Sequence, residues 1–245
     1  MLYSILFLNM SIYSLFQNHS NSYPDLFLKL PKYLPNPSQI YSKSILTNSY
    51  KIIFMKVFGI CASPRNSTTE YVLTQALDKL DCETVMFSCN NKDLKPCLHC
   101  DYCLENKKCI IQDDMGEVYE NLQSADGIIL ATPVQSGSIS ANLSIIMDRT
   151  RALEAIDYNL LRGKIGMSIA VGGDRTGGQD FAHMSNIAYF MIHGIIPVSG
   201  GPFGSNLGAS FWSQDSIDEI KKDEYGMESL DRTLREFENF LNKYI

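Results

Sequence analysis

The chain has 245 residues, of which 45% are hydrophobic and 20% are charged, and its formal net charge is −6. These are ordinary values for a globular protein, so the composition excludes disorder of the chain as a whole. The acidic charge and the lack of a basic cluster argue against a nucleic-acid partner.

Residues 1–54 differ from the rest, because they contain no Gly, Ala, Val or Cys and carry a net charge of +3. Their apolar opening is too short and broken for a membrane span, and it lacks the features of a signal peptide. We interpret this segment as a poorly ordered extension, or an upstream translation artefact, with no catalytic part, and we predict no membrane partner. An amphipathic arm at a membrane surface is the alternative.

Short apolar runs alternate with amphipathic segments from residue 55 onward. The apolar runs predict five strands, at residues 56–62, 83–88, 127–131, 164–171 and 194–198. Helical spacing predicts helices at residues 69–80, 115–122, 141–153, 179–192 and 227–244. This alternation predicts one α/β domain over residues 55–245, a flavodoxin-like, doubly wound, five-stranded parallel sheet. A cysteine-rich insertion follows the second strand.

Three loops follow predicted strands, where ligands bind in sheets of this kind. The first loop, 62–69, leads into a helix N-terminus, whose free N–H groups bind anions. Because it lacks the glycine patterns of dinucleotide and nucleoside-triphosphate sites, its hydroxyls and arginine favour a terminal monophosphate such as that of FMN. Ordinary helix capping is the alternative. The candidate residues are Ser63, Arg65, Ser67, Thr68 and Thr69.

The second and third loops are candidates for the flavin itself. Small residues and backbone amides line the second loop, 132–138, and the glycines of the third loop, 172–178, allow close backbone approach. Alone, the second loop is more readily an ordinary Pro/Gly turn, and the third is equally explained by a need for positive φ. Three such loops on one edge nevertheless favour a flavin site. The predicted cofactor-binding residues here are Thr132, Pro133, Val134, Gln135, Ser136, Gly137, Gly172, Gly173, Asp174 and Arg175.

Four cysteines, Cys97, Cys100, Cys103 and Cys109, lie within thirteen residues in the spacing C-x2-C-x2-C-x5-C. Three thiolates at this short spacing can wrap three corners of a cubane, and the longer gap lets the chain return to the fourth. This is the ligand pattern of a [4Fe–4S] cluster. Structural zinc is one alternative, although its usual pair of separated knuckles is missing. Redox disulfides or unligated thiols are another.

The remaining cysteines and histidines are interpreted as structural or peripheral, and no catalytic residue is assigned, because no side-chain general base is needed. Thiolate ligation, in a domain large enough to need no disulfides, favours a reducing, cytoplasmic setting. The residues given packing roles are Cys61, Cys82, Cys89, His183 and His193, and His99 is interpreted as an exposed or indirect neighbour of the cluster.

The segments MKVFGICASPRNSTTEY, KPCLHCDYCLENKKC and GGDRTGGQ together resemble the iron–sulfur flavoproteins of anaerobic archaea and bacteria, within the wider NADPH-dependent FMN reductase group. The resemblance covers residues 55–245. It implies FMN bound by the three loops and a [4Fe–4S] cluster bound by the four cysteines. It also implies a homo-oligomer, dimer or tetramer, with the cluster of one subunit near the flavin of another, and a ferredoxin-like electron donor.

One departure concerns the second loop, where relatives commonly carry aromatic residues and this chain has Gln135 and Ser136. This leaves open how the flavin ring is stacked and whether a nicotinamide site exists. The leading hypothesis is electron transfer through the cluster and FMN to a small acceptor such as O2 or H2O2. The alternatives are an NAD(P)H-dependent FMN or quinone reductase with structural cysteines, and a zinc-stabilised flavodoxin-like binding module without turnover.

Overall fold

The computed structural model describes residues 55–245, so the predictions made for residues 1–54 lie outside the described residues. The strands are β1 (Lys56–Cys61), β2 (Glu83–Ser88), β3 (Gly127–Pro133), β4 (Ile165–Gly172), β5 (Ile196–Val198) and β6 (Ala209–Trp212). The helices are α1 (Thr68–Asp78), α2 (Tyr102–Asn106), α3 (Met115–Ser124), α4 (Ala141–Arg149), α5 (Arg151–Ile156), α6 (Gln179–Ile192), α7 (Ile217–Ile220) and α8 (Glu224–Tyr244).

The sheet is parallel throughout, with strand order β2-β1-β3-β4-β5, which confirms the predicted flavodoxin-like topology. Six strands fill its five positions, because two of them share the position beyond β4. β5 pairs with Ile165–Met167, and β6 pairs further along with Ile169–Gly172. Residues 199–208 leave the sheet between these two strands through glycines with positive φ, Gly201 and Gly204. The sequence prediction stopped at residue 198 and missed β6.

Apolar residues form one core on each face of the sheet. One core joins β1, β3 and β4 to α1 and α8, and the other joins β2 and the opposite faces of β1 and β3 to α3, α4 and α6. The long helix α8 packs through Leu230, Leu234, Phe237 and Leu241, whose spacing forms a single stripe. Burying each such side chain contributes about 1.5–3 kcal/mol. The two covered faces leave the carboxyl edge of the sheet for ligands.

The helix predicted over residues 141–153 is divided into α4 and α5 at Thr150. The hydroxyl of this buried residue donates to Met147 O at 2.6 Å, and its N–H is shared between Ile146 O and Met147 O. Sharing of one N–H in this way tightens the last turn of a helix. The break leaves an arginine on each side of Thr150, Arg149 and Arg151.

Within residues 55–245, no helix has both the length and the apolar character that crossing a membrane requires.

Candidate functional site: a ring of loops and a cysteine segment

Four loops at the carboxyl edge of the sheet form a closed circuit, which we call the loop ring. They follow β1, β3, β4 and β6 and comprise residues 62–67, 134–140, 173–178 and 213–216. Ser140 Oγ donates to Ala62 O at 3.0 Å, which joins the second loop to the first. Other contacts between neighbouring loops complete the circuit. The parallel strands therefore hold all four loops in place at this edge.

The first loop begins with a compact turn in which Ser63 Oγ accepts from Arg65 N at 3.1 Å and donates to Arg65 O at 2.8 Å. Ser67 precedes α1, but its side chain makes no capping hydrogen bond. The hydroxyl and the N–H groups of the first helical turn are therefore not used by the capping interaction that competes with phosphate binding. Thr68 and Thr69 are buried, whereas Arg65 is exposed.

The second loop is a tight hairpin turn. Gln135 and Ser138 exchange two backbone hydrogen bonds, of 2.9 and 3.0 Å, and the two residues between them, Ser136 and Gly137, have φ of 50° and 77°. Positive φ at both central positions is typical of a type I′ turn, which favours small and Asn- or Gly-like residues. This geometry gives a physical reason why Ser, and not an aromatic residue, follows Gln135. The hydroxyl of the buried Thr132 accepts from Ser140 N at 3.0 Å and so anchors the base of the loop.

The third loop is closed by Gln179, which the sequence analysis did not identify. Its Oε1 accepts from Gly177 N at 2.9 Å and its Nε2 donates to Asp174 O at 2.8 Å. Gly178 has φ of 113°, and a Cβ there would lie 2.6 Å from Gly137 O. The second and third loops therefore touch through backbone atoms, and this contact requires glycine at position 178.

The fourth loop was missed with β6 and completes the circuit. Ser213 N donates to Gly172 O at 2.8 Å. The carboxylate oxygen Oδ1 of Asp215 lies 3.3 Å from the guanidinium nitrogen Nη2 of Arg65 in the first loop. Gln214 and Asp215 both have positive φ, of 49° and 54°, and strained backbone of this kind clusters at functional sites. The only signal in the sequence is the short apolar run that ends in the single tryptophan of the chain, Trp212.

A pocket of about 380 Å³ opens where the third and fourth loops meet. This volume lies in the usual range for small-molecule sites. The guanidinium of Arg175 lies over the Trp212 ring, 4.8 Å from its centroid. The pocket therefore combines one aromatic side chain, which can contact a planar ligand, with two carboxylates and an amide. Its lining residues are Gly173, Asp174, Trp212, Gln214 and Asp215.

The second part of the site is the stretch between β2 and α3, residues 90–113, which we call the cysteine segment. Its four predicted ligands line one small pocket. Within residues 55–245, no three His, Cys, Asp or Glu side chains are grouped closely enough for a single metal ion. Four cysteines around one pocket are the donor set of a [4Fe–4S] cluster, so the residues present fit that group.

The backbone of the cysteine segment turns sharply between its ligands. His99, Asp101 and Lys107 all have positive φ, of 48°, 58° and 57°. The reversal at His99 points its N–H at Cys97 Sγ, 3.4 Å away. Backbone donors to sulfur are one way in which a protein tunes an iron–sulfur cluster. His99 itself is exposed and lines the pocket rim.

A buried ion pair closes the base of the cysteine segment. Arg149 donates to both carboxylate oxygens of Asp113, at 2.8 and 3.1 Å, and to Lys95 O at 2.7 Å, so it ties the two ends together. Burial alone would raise the pKa of Asp113, but the charge and hydrogen bonds of Arg149, with hydrogen bonds from the Lys95 and Met115 N–H groups, together outweigh it and lower that pKa. Removing one partner of such a buried pair costs about 3–5 kcal/mol.

Helix α4 connects the two parts of the site. Its N-cap is Ser140, whose hydroxyl accepts from Leu143 N and donates to Ala62 O in the loop ring, and it ends at Arg149 in the base of the cysteine segment. Nine residues of α-helix rise about 13 Å. The loop ring and the cysteine segment of one chain are thus held apart by a rigid rod of this length.

Within residues 55–245, Cys61, Cys89, His183 and His193 are buried, and Cys82 packs against the core. Burial raises the pKa of Cys61 and Cys89 to about 12 and that of Cys82 to about 11, so these thiols are poor nucleophiles. Burial lowers the pKa of His183 to about 4, and that of His193 also falls. Neutral, buried imidazoles of this kind suit the packing roles predicted for them.

Comparison with known proteins supports these observations. Residues 55–209 match the family model of the NADPH-dependent FMN reductases. An iron–sulfur flavoprotein of Archaeoglobus fulgidus is 50% identical over 76% of this chain and 97% of its own length. One of Methanocaldococcus jannaschii is 47% identical over 77% and 98%.

Among solved structures, RosB with a bound 8-demethyl-8-formylriboflavin-5′-phosphate shares the fold, with a TM-score of 0.55 and 14% identity over 78% of this chain and 82% of that one. Such low identity supports only the fold. The family match and the two archaeal relatives carry the assignment: the chain belongs to the NADPH-dependent FMN reductase family of FMN-dependent oxidoreductases, and within it to the iron–sulfur flavoproteins.

Proposed function

We propose that this protein transfers electrons from a ferredoxin-like one-electron donor, through a [4Fe–4S] cluster and FMN, to a small acceptor such as O2 or H2O2. The observation that carries the proposal is the pairing of two sites in one chain. Four cysteines line one pocket, and a separate ring of loops at the carboxyl edge offers an anion site and an aromatic-walled pocket. When bound, the cluster carries single electrons and FMN stores two.

The residues of the chain hold, orient and tune these groups. Cys97, Cys100, Cys103 and Cys109 are the proposed cluster ligands. The first loop binds the FMN phosphate through the N-terminus of α1, Ser67 and Arg65. The second and third loops approach the ring and its tail through backbone groups, and Trp212 adds an aromatic wall that compensates for the missing aromatic residues of the second loop.

We further propose that the chain acts as a homo-oligomer, a dimer or a tetramer, in the cytoplasm. Electron transfer between subunits would shorten the path that α4 imposes within one chain. The cysteine segment exposes Leu98, Leu104 and Ile110, which are 67%, 47% and 50% accessible and suit contact with another surface. All seven cysteines are free thiols in this structure, in keeping with a reducing compartment.

A second candidate function is NAD(P)H-dependent reduction of FMN or a quinone, because the matching family is described by its NADPH dependence. The two functions differ in donor. Rapid-mixing measurements under anaerobic conditions should show fast flavin reduction by reduced ferredoxin and slow reduction by NADPH. The reverse order of rates would favour the second candidate.

Iron, sulfide, zinc and flavin analysis of anaerobically purified protein tests the cofactors. We expect about four irons, four sulfides and one FMN for each chain, as a [4Fe–4S] flavoprotein requires. Zinc without iron would overturn the proposal in favour of a zinc-stabilised module. Light scattering coupled to size exclusion tests the oligomer, and a monomer would contradict electron transfer between subunits.

A further inference from the structure

Two arginines beside the cysteine segment each have a buried N–H group that lacks a hydrogen-bond acceptor. Among residues 55–245, four buried side-chain nitrogen or oxygen atoms lack a hydrogen-bond partner, and two of these are the Nε atoms of Arg149 and Arg151. A buried donor without a partner costs about 1–3 kcal/mol, so its occurrence calls for an acceptor that completes the site. Both orphan donors lie at the α4–α5 break, which packs against the cysteine segment.

Arg149 is 1% exposed, and its two terminal nitrogens are already occupied by Asp113 and Lys95 O. Only its Nε–H remains without an acceptor.

Arg151 occupies the other side of the pocket. It lines the pocket formed by the four cysteines, and its guanidinium pairs with Asp101, between the second and third ligands. Arg151 and Cys103 line the same pocket, and the Nε–H of Arg151 is buried without a hydrogen-bond partner.

We propose that Arg151 is a positioning residue whose Nε–H donates to the thiolate of Cys103, and that it stabilises the reduced cluster. The inference rests on the proposed function. An electron added to a four-thiolate cluster adds one negative charge, which spreads onto its sulfurs. Hydrogen bonds to those sulfurs and a nearby positive charge favour the reduced state, so they raise the reduction potential.

Arg151 is the residue to change, because its side chain is about one third exposed and its loss leaves the buried Arg149–Asp113 pair in place. In Arg151→Gln we expect the equilibrium between oxidised and reduced cluster to shift about tenfold toward oxidised, which is about 59 mV for one electron. The shift is measured by a redox titration of the holoprotein followed by electron paramagnetic resonance.

Arg162→Gln is the matched control, since it removes the same charge from an arginine whose Nε already donates to Asn159 at 2.9 Å. Arg151→Lys keeps the charge but removes the Nε–H, so we expect a shift between those of Arg162→Gln and Arg151→Gln. An Arg151→Gln potential equal to that of the wild type or of Arg162→Gln would overturn the inference. If Arg151→Gln fails to bind iron, the test passes to Arg151→Lys. A reduction potential of Arg151→Lys equal to that of the wild type would then overturn the inference.

A second measurement needs no variant. In wild-type holoprotein labelled with ¹⁵N-arginine, the electron-spin-echo spectrum of the reduced cluster should show an arginine nitrogen coupling that is clearly weaker in Arg151→Lys labelled in the same way. A coupling of equal strength in the two proteins, or none in either, would contradict the proposed hydrogen bond. Wild-type protein without iron would instead overturn the proposed function, so the two failures are distinguishable.

Discussion

The loop ring and the cysteine segment show two different ways of building a cofactor site in one chain. The loop ring is held by the sheet, since each of its loops leaves a parallel strand and is joined to the next, as by the 2.8 Å bond from Val134 N to Val171 O. The cysteine segment has only one short helix, α2, none of whose residues is buried. The ring is therefore preorganised without its ligand, whereas the segment needs its ligand and its two arginines for cohesion.

This difference implies that the two sites are separable, although α4 links them. A change in the cysteine segment should leave the sheet edge intact, because no strand depends on it. A change in the loop ring should spare the cluster for the same reason. Single substitutions in each region test this independence.

The largest effect is expected from removal of a central ligand, in Cys100→Ala. Because Cys100 is exposed and packs against nothing in the core, the fold should persist while the cluster is lost. We expect iron to fall from about four atoms per chain to almost none, with FMN retained. Cys82→Ala is the control, which should keep both. Loss of FMN together with iron would show that the regions are coupled, and retention of iron would refute the ligand assignment.

The scaffold under the loop ring should lose stability in acid through His183. This residue bridges β4 and β6, with Nδ1 2.7 Å from Ser168 Oγ and Nε2 2.9 Å from Ser210 Oγ. Its pKa falls to about 4 in the fold because burial outweighs the nearby Asp180. Since the unfolded chain binds a proton near pH 6.5 and the folded chain does not, stability is lost as pH falls from 6.5 toward 4, by about 3 kcal/mol.

Urea unfolding followed through the single tryptophan, at pH 7 and at pH 4.5, measures this loss. His183→Gln cannot take up that proton, so its free energy of unfolding should fall less between the two pH values. Equal falls in the variant and the wild type would mean that the bridge between β4 and β6 does not depend on a neutral His183.

The backbone contact inside the loop ring is tested by Gly178→Ala. The new Cβ would lie 2.6 Å from Gly137 O at a φ of 113°, so the second and third loops must separate. We expect FMN to bind about a hundredfold more weakly, or about 2.7 kcal/mol, while iron stays constant. Gly163→Ala is the matched control, because Gly163 also has positive φ but meets nothing within 4 Å. Equal affinities in the two variants would leave only backbone strain as the cause.

The sheet, three of its edge loops and the position of the cysteine segment could be predicted from the sequence. Apolar runs and glycine-rich loops predicted the sheet and three loops of its edge, because burial and turn formation are local properties. The spacing of the cysteines predicted one site for the same reason. The fourth loop was missed because β6 has only four residues and follows an insertion, so no local pattern ties Asp215 to Arg65.

The arginines of the cysteine segment also escaped prediction. Arg149 and Arg151 belong to a stretch with helical spacing, where a charged residue ordinarily faces solvent. Burial of Arg149 depends on Asp113, which is 36 residues away and becomes a neighbour only through the fold. Long-range pairs of this kind leave no periodic signal in a single sequence.

The smallest effect concerns the anion site of the loop ring, where the exposed Arg65 forms a salt bridge of 3.3 Å with Asp215. If Arg65 binds the FMN phosphate, Arg65→Gln should weaken FMN about tenfold, or about 1.4 kcal/mol, and leave riboflavin unchanged because riboflavin has no phosphate. Asp215→Asn should act in the opposite direction and tighten FMN, since it removes a competing carboxylate. Titration of the apoprotein with both flavins, followed by flavin fluorescence, measures each affinity. Equal weakening of FMN and riboflavin in Arg65→Gln would place this arginine at the ring or its tail, and the phosphate would then depend on the backbone of α1 alone.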